Sequence, residues 1–342
     1  MLPLFTILHP LVDACSVTVL VVGGMPWQRV LMYNALAFAL QFPLGVALDA
    51  RPRLVKGVFV ASLALTLLGV GLCACGCVGD GALGTTCPTE WVGLALACVG
   101  NALFHLSAGK TVLDAHEGKG GPIGLFISTG ALGLFAGMKL AGGYGLWCCL
   151  GFGVALAVVG AMAIWWFWRS CGRCGNRDGV RVVGLALRAS RNPDKTQIAF
   201  ENDCGAERSP RPTVAWCVLV LAALFALVAW RSWAGLLAGG MTNAAGLGFA
   251  LAGAAVTWAG KAAGGYLGDR FGRWIVTAVS VVGSLSLCFL CRPEQAAFWL
   301  ALLFVAQLAT GPVLSLVYER TGRRGGTAFG INCLGLFTGS LA

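Results

Sequence analysis

Long apolar segments alternate with short polar connections along most of this chain. A helix crosses the hydrocarbon core of a bilayer with roughly 20 apolar residues. About eleven segments reach that length, over approximately 4–24, 30–48, 55–78, 91–109, 122–140, 145–168, 213–233, 241–262, 274–291, 296–317 and 325–342. No ten-residue segments of alternating hydrophobicity occur, so a membrane-spanning barrel is not expected. The pattern predicts an all-α integral membrane protein.

Composition supports this prediction. Hydrophobic residues make up 58% of the 342 residues, charged residues only 11%, and the mean hydropathy is +0.80. A soluble chain is about one quarter charged, because its surface must be hydrated. The 50 glycines fit a bundle whose helices approach closely. The first apolar segment lacks a basic region before it, so we expect it to remain as a span.

One connection is long and basic, and it divides the chain. Residues 169–212 carry nine Lys and Arg side chains together with prolines and polar residues, which is typical of a linker. We therefore expect an N-terminal six-helix bundle over 1–168 and a C-terminal bundle of about five helices over 213–342. Within the linker, 180–187 could form an interfacial helix. The lone Cys171 and Cys174 pair predicts no metal site, since a second ligand pair is missing.

Most of the 24 Lys and Arg residues fall on alternate connections. Besides the linker, these connections contain Arg51, Arg53, Lys56, Lys110, Lys119, Lys261, Arg270, Arg273, Arg320, Arg323 and Arg324. The opposite connections contain only Arg29, Lys139, Arg231 and Arg292. The positive-inside rule then places the basic connections and the N-terminus in the cytoplasm. Insertion topology also accounts for the net charge of +10, so we expect no nucleic-acid partner.

Two of the basic connections repeat one pattern, six spans apart. The first, residues 45–53, has Gly45 and Asp49 in a G-x-x-x-D pattern followed by Arg51. The second, residues 265–273, reads G-x-x-x-D-R-x-G-R. Its fixed positions are Gly265, Asp269, Arg270, Gly272 and Arg273. We call these segments the first and second signature loops. A repeat of six spans is how many transporters are built, with the substrate path between the halves.

The second signature loop closely resembles the loop signature of the major facilitator superfamily. The first is a degenerate copy, with Ala50 and Pro52 where the family has Arg and Gly. The resemblance implies two pseudo-symmetric helical bundles. It also implies a cytoplasmic gate in which the loop carboxylates and arginines hold the cytoplasmic side shut. An Asp can cap a neighbouring helix N-terminus, and Arg can bind carboxylates. The alternative for the arginines is that they only set topology.

A narrower resemblance involves two segments inside spans. His9 and Asp13 form an H-x-x-x-D pattern, and Gly100, Phe104 and His105 form a G-x-x-x-F-H pattern. Both look like segments of fosmidomycin-resistance-type transporters, although Leu106 replaces the Pro that usually follows. The resemblance implies efflux of a small molecule in exchange for protons.

Several ionisable residues lie inside predicted spans, where an isolated charge costs roughly 2.5–3.5 kcal/mol. His9 and Asp13 share one helix face, so they are candidates for proton coupling or for a structural pair. His105 is a candidate for relay or gating. Lys139 and Arg231 fall near the predicted outer ends of their spans, where snorkelling competes with contact to an anionic substrate. The uncharged polar residues Asn34, Gln41, Asn101, Asn243 and Gln307 can line a cavity or bond between helices.

These observations predict a secondary transporter of a small molecule that works by alternating access, with proton-coupled efflux as its direction. Proton-coupled uptake and a receptor-like protein without transport are the alternatives. No enzyme motif or P-loop occurs, so we expect neither enzymatic activity nor a cofactor. We further expect a monomer in a plasma membrane, most plausibly a bacterial inner membrane. Because family members have twelve spans, we expect the last one to be missing.

Overall fold

The computed structural model describes residues 1–22, 24–79, 88–174, 214–290 and 295–341. The helices in these ranges are α1 (Leu2–Val22), α2 (Trp27–Asn34), α3 (Gln41–Ala50), α4 (Val55–Gly79), α5 (Pro88–Ala115), α6 (Gly120–Ser128), α7 (Gly130–Cys174), α8 (Val214–Ala244), α9 (Leu247–Phe271), α10 (Arg273–Leu290), α11 (Ala296–Leu308), α12 (Thr310–Arg320) and α13 (Gly325–Ser340). A π-helical turn (Ala35–Ala39) joins α2 to α3, and a 3₁₀ turn (Pro52–Leu54) precedes α4. The described residues form no strands.

The predicted spans and the observed helices correspond along the described ranges. α2, the π-helical turn and α3 together make the second span, α6 with the first part of α7 makes the fifth, and α11 with α12 makes the tenth. The fifth and sixth spans meet at Gly145, whose φ of 33° and ψ of −105° break α7. Eight continuous segments of the described chain are long and apolar enough to cross a membrane, one of which, Gly120–Trp166, contains this break. The prediction of an all-α membrane protein is confirmed.

Small residues let the helices pack closely, as the glycine content suggested. At Gly69 on α4, a Cβ atom would lie 2.5 Å from the backbone nitrogen of Ala97 on α5. At Gly264 on α9, it would lie 1.9 Å from the carbonyl oxygen of Leu308 on α11. No side chain fits at such distances, so these glycines set the helix separation.

Residues Met1–Gly160 and Leu221–Ala342 form one compact unit. A second unit, Ala161–Val220, is described only over 161–174 and 214–220. The boundaries at 168 and 213 remain a prediction. Most of the basic linker, the possible interfacial helix over 180–187 and Arg292 lie outside the described residues. The Cys171–Cys174 pair lies at the end of α7, where side chains are not described.

Two basic residues occupy other positions than the sequence suggested. Arg231 is not near the end of a span: it lies in the middle of α8, and its side chain is only 5% exposed. Lys261 is not in a connection: it lies within α9, ten residues before the helix ends. Both corrections follow from the lengths of α8 and α9, which continue well beyond the predicted spans 213–233 and 241–262.

Candidate functional site: a central cavity closed on the signature-loop side

Asp49 of the first signature loop joins the end of α3 to the start of α13. Its carboxylate accepts hydrogen bonds from the backbone N–H groups of Gly326 (3.0 Å) and Thr327 (2.6 Å) and from the Thr327 hydroxyl (2.7 Å). The first N–H groups of a helix have no partner within the helix and carry partial positive charge, so a carboxylate there is stabilising. Asp49, at the end of the second span, therefore caps the N-terminus of the eleventh span.

Lys110 on α5 completes this group. Its ammonium donates to Asp49 at 2.6 Å and to Asp114, one turn further along α5, at 2.7 Å. Lys110 is only 8% exposed, so both ion pairs are partly shielded from water. The sequence predicts Lys110 in a connection, where this contact is not expected. The i,i+4 spacing of Lys110 and Asp114 was the available signal.

Asp269 of the second signature loop makes the equivalent connection in the other direction. Its carboxylate accepts hydrogen bonds from the backbone N–H groups of Gly120 (2.8 Å) and Gly121 (2.7 Å), the first residues of α6. Asp269, at the end of the eighth span, thereby caps the N-terminus of the fifth span. Arg273 makes an ion pair with Glu319 at the end of α12 and lies 3.8 Å from the Asp269 carboxylate.

The remaining gate candidates have different surroundings. Gly45 and Gly265 are contact points, since a Cβ atom at either would lie 2.2 Å from a backbone oxygen, that of Gly326 or Gly120. Gly272 adopts a φ of 103°, which glycine accommodates without strain. Arg51 and Arg270 are exposed. The loop carboxylates and glycines thus make the close contacts between helices at this end of the molecule.

A cavity of about 340 Å³ lies in the middle of the compact unit. One wall carries His9, Asp13 and His105, and another carries Arg231 and Lys261. The lining continues away from the signature loops to residues near the opposite helix ends, including Lys139, Asn243, Ala250 and Ser340. Its remaining surface is mostly apolar, with Phe38, Leu134, Phe135, Leu236, Phe329 and Leu336 among the lining side chains.

His9, Asp13 and His105 contact one another at the cavity wall. The Asp13 carboxylate lies 3.2 Å from Nε2 of His9 and 3.4 Å from Nε2 of His105. It also accepts a hydrogen bond from the Asn101 side-chain amide at 2.9 Å. His9 and Asp13 are 2% and 5% exposed. The three residues that two separate patterns singled out thus form a single group.

The hydrogen bonds of the two imidazoles determine where their protons lie. Nδ1 of His9 is 2.6 Å from the carbonyl oxygen of Phe126, and Nδ1 of His105 is 2.9 Å from that of Asn101. A carbonyl oxygen can only accept, so both Nδ1 atoms carry hydrogen. Each neutral ring then has a lone pair on Nε2, yet the two Nε2 atoms are 2.6 Å apart. This contact is a hydrogen bond only when one additional proton lies between them, and the Asp13 carboxylate balances its charge.

Two further residues hold this group in place. The Phe126 ring stacks on the His9 ring, with centroids 4.7 Å apart and an interplanar angle of 24°. Gly130 follows the break between α6 and α7, where a Cβ atom would lie 2.4 Å from an Asp13 oxygen and 2.7 Å from Nε2 of His9. Any larger residue at 130 would therefore displace the pair. No pattern in the sequence indicates this contact, because Gly130 is one of 50 glycines.

The same three side chains offer two imidazoles and a carboxylate, a donor set that zinc accepts. The spacing does not fit a metal ion, however. Two imidazoles bound tetrahedrally at about 2.0–2.1 Å place their nitrogens about 3.3 Å apart. The observed 2.6 Å between the Nε2 atoms is shorter and fits a shared proton.

Arg231 and Lys261 face the cavity without a carboxylate partner. Nη1 of Arg231 donates to the side chains of Gln307 (3.0 Å) and Thr310 (2.8 Å), both uncharged. Nη2 of Arg231 is buried with no hydrogen-bond partner among the described residues. Lys261 is half-buried, and within the described ranges its ammonium forms no hydrogen bond or ion pair. Lys139 is exposed near the end of the cavity that is distant from the signature loops.

Comparison with known proteins identifies the fold. No protein-family model and no curated protein matches the sequence. The structure is similar to the crystal structure of FucP, a major facilitator superfamily transporter, in its outward conformation. The TM-score is 0.56 with 14% identity, covering 98% of this chain and 89% of FucP. It is also similar to a variant of FucP, the E. coli fucose:proton symporter, with a TM-score of 0.56 and 13% identity over 99% of this chain and 88% of that one. The chain is a multi-pass membrane protein with the major facilitator fold.

Proposed function

We propose that this protein is a proton-coupled secondary transporter of a small molecule. The observation that carries the proposal is the His9–Asp13–His105 group, a buried proton-binding group on the wall of a central cavity. Buried ionisable residues in membrane helices are costly and mark proton or substrate pathways. Transport by this fold needs no nucleotide or cofactor, and we expect no enzymatic activity.

Alternating access is supported by the contacts of the signature loops. Asp49 and Asp269 each join a loop of one half to a helix N-terminus of the other half, and the cavity extends away from them. Such hydrogen bonds break when the halves rock apart, so they stabilise one of two states. We propose that these contacts form the gate predicted from the sequence. We further propose that the signature-loop side faces the cytoplasm and that the transporter is a monomer in a bacterial plasma membrane.

Proton coupling has two possible directions. The narrower sequence resemblance implies efflux in exchange for protons, and proton-coupled uptake is the alternative. In exchange, the proton and the substrate exclude one another from the cavity. In cotransport, each favours the binding of the other, and both cross together.

Flux in proteoliposomes tests the proposal. The purified protein is reconstituted with a pH-sensitive dye inside, and anionic, neutral and cationic compounds are added with and without an imposed pH gradient. At least one compound should move protons, inward for cotransport and outward for exchange, and an ionophore should abolish its accumulation. A compound that binds but never crosses would instead support a receptor-like protein. Liposomes without protein provide the control for leak.

A further inference from the structure

The charges that line the cavity do not balance within the protein. Lys139, Arg231 and Lys261 are cationic, whereas Asp13 is the one carboxylate among the described lining residues. Asp13 is already engaged by two imidazoles and by Asn101. The Asp13 charge reaches Lys261, but among the described residues neither Arg231 nor Lys261 forms an ion pair with a carboxylate.

Arg231 is held as a binding group rather than as a structural ion pair. Gln307 and Thr310 fix one side of its guanidinium, and their oxygens carry no net charge. The other side, Nη2, is buried without a partner in the described chain. A buried charge and a buried donor without partners each cost free energy. A ligand oxyanion would satisfy both, because guanidinium donors match the geometry of oxyanions.

Lys261 provides a second cation at the same place. It lies on α9, lines the same cavity and is close enough to Arg231 for their charges to interact. Two cations whose charges interact repel one another unless an anion lies near both. The surrounding wall is largely apolar, and a volume of about 340 Å³ suits a small ligand. An organic anion with an apolar body meets all of these conditions.

We infer that Arg231 and Lys261 bind a small organic anion with an apolar body, and that a proton on the His9–His105 pair favours its binding. The inference rests on the proposed function and specifies its substrate class. Without the shared proton, the Asp13 carboxylate is unbalanced and repels a ligand anion. With the proton, the His9–Asp13–His105 group is neutral, and the two cations attract the anion unopposed. This sign of coupling is that of cotransport rather than exchange.

Binding measurements test the inference without requiring transport. Benzenesulfonate is the probe, because it stays anionic at both about pH 5.5 and about pH 7.5. Benzamide and benzylamine are the matched neutral and cationic compounds, and binding to the purified protein is measured by calorimetry. We expect benzenesulfonate alone to bind, at least about fivefold more tightly at the lower pH, as for ordinary coupling between two sites. Equal affinity at both pH values, or tighter binding of benzamide or benzylamine, would overturn the inference.

Two variants of Arg231, with a third variant as the control, test whether this residue binds the anion. Arg231→Met should weaken benzenesulfonate binding about tenfold or more, the loss of one charged hydrogen-bonding group. Arg231→Lys should retain part of the affinity, which separates lost charge from lost folding. Arg53→Met removes an exposed cation of the first signature loop and should bind normally. Unchanged affinity in Arg231→Met contradicts the site. Proton-coupled flux of a neutral or cationic compound would contradict the anion site but would still support the proposed function.

Discussion

The two halves of the molecule bring opposite kinds of polar group to the cavity. In the first half, His9, Asp13 and His105 satisfy one another, with Asn101 as an additional donor. In the second half, Arg231 donates to two neutral acceptors and forms no ion pair with a carboxylate of the described residues. A group that is internally balanced can hold or release a proton at little cost to packing. A group with excess charge requires a partner from outside.

The difference shows how one fold can separate two tasks. Each half contributes one signature loop and one capped helix, so the contacts of the two loops are related by approximate repetition. The cavity side chains do not follow this repetition, because function resides in particular side chains rather than in the shared fold. We therefore expect substitutions at the cavity in the first half to change mainly proton coupling. Those in the second half should change mainly the affinity for the ligand.

Asp13→Asn should have the largest effect. The amide cannot balance the proton shared by the two imidazoles, and breaking a buried charged contact costs about 3–5 kcal/mol. Proton-coupled flux in proteoliposomes should therefore fall on the order of a hundredfold or more, while the protein remains in the membrane fraction. Proton flux equal to that of the unmodified protein would remove Asp13 from the coupling mechanism.

Lys261→Met should have the second-largest effect, and it should change the affinity for the ligand rather than proton coupling. Loss of one of two cations should reduce the apparent affinity for a transported anion about tenfold, as is typical for a charged contact worth about 1.5–3 kcal/mol. Initial rates of uptake against substrate concentration measure this change. The number of protons per substrate should stay constant. A changed ratio would place Lys261 in the proton pathway and weaken the division between the halves.

Asp49→Asn should act on the gate with a smaller effect. The carboxylate has three hydrogen bonds to the start of α13 and an ion pair with Lys110. Replacing it with a neutral amide leaves one oxygen to accept a hydrogen bond but removes the charge, which should destabilise the contacts on the signature-loop side by about 1–2 kcal/mol, since hydrogen bonds to a charged group are stronger than those to a neutral one. Labelling of single cysteines on that side should increase several-fold. Unchanged labelling would contradict the gate.

Asp269→Asn should have the smallest effect of the four. Its side chain is 26% exposed, against 8% for Asp49, it accepts two backbone hydrogen bonds, and Arg273 lies at the long distance of 3.8 Å. We expect a shift of below about 1 kcal/mol, because charged contacts contribute less as their exposure to water increases. The same cysteine labelling measures it, in parallel with Asp49→Asn. If Asp269→Asn increases labelling more than Asp49→Asn does, the second signature loop contributes more to closure than the first, and the expected order is wrong.

Much of the fold could be predicted from sequence, because lipid imposes strong local rules. Apolar segments of span length must be helical, so the eleven segments follow from composition and length alone. The boundaries were less accurate. The extent of α8 and α9 depends on packing against other helices, and for that reason the sequence predicts Arg231 at the end of a span and Lys261 in a connection.

Residue types and their spacing were enough to predict a helical membrane protein with a repeated G-x-x-x-D loop and to select His9, Asp13 and His105. These conclusions depend on residue type and on spacing within one helix, which are local properties. The contact of His105 with His9, that of Lys110 with Asp49, and the position of Lys261 at the cavity became visible in the folded chain alone. Each of these contacts joins residues far apart in the chain. Such contacts follow from how the helices pack, which no local pattern encodes.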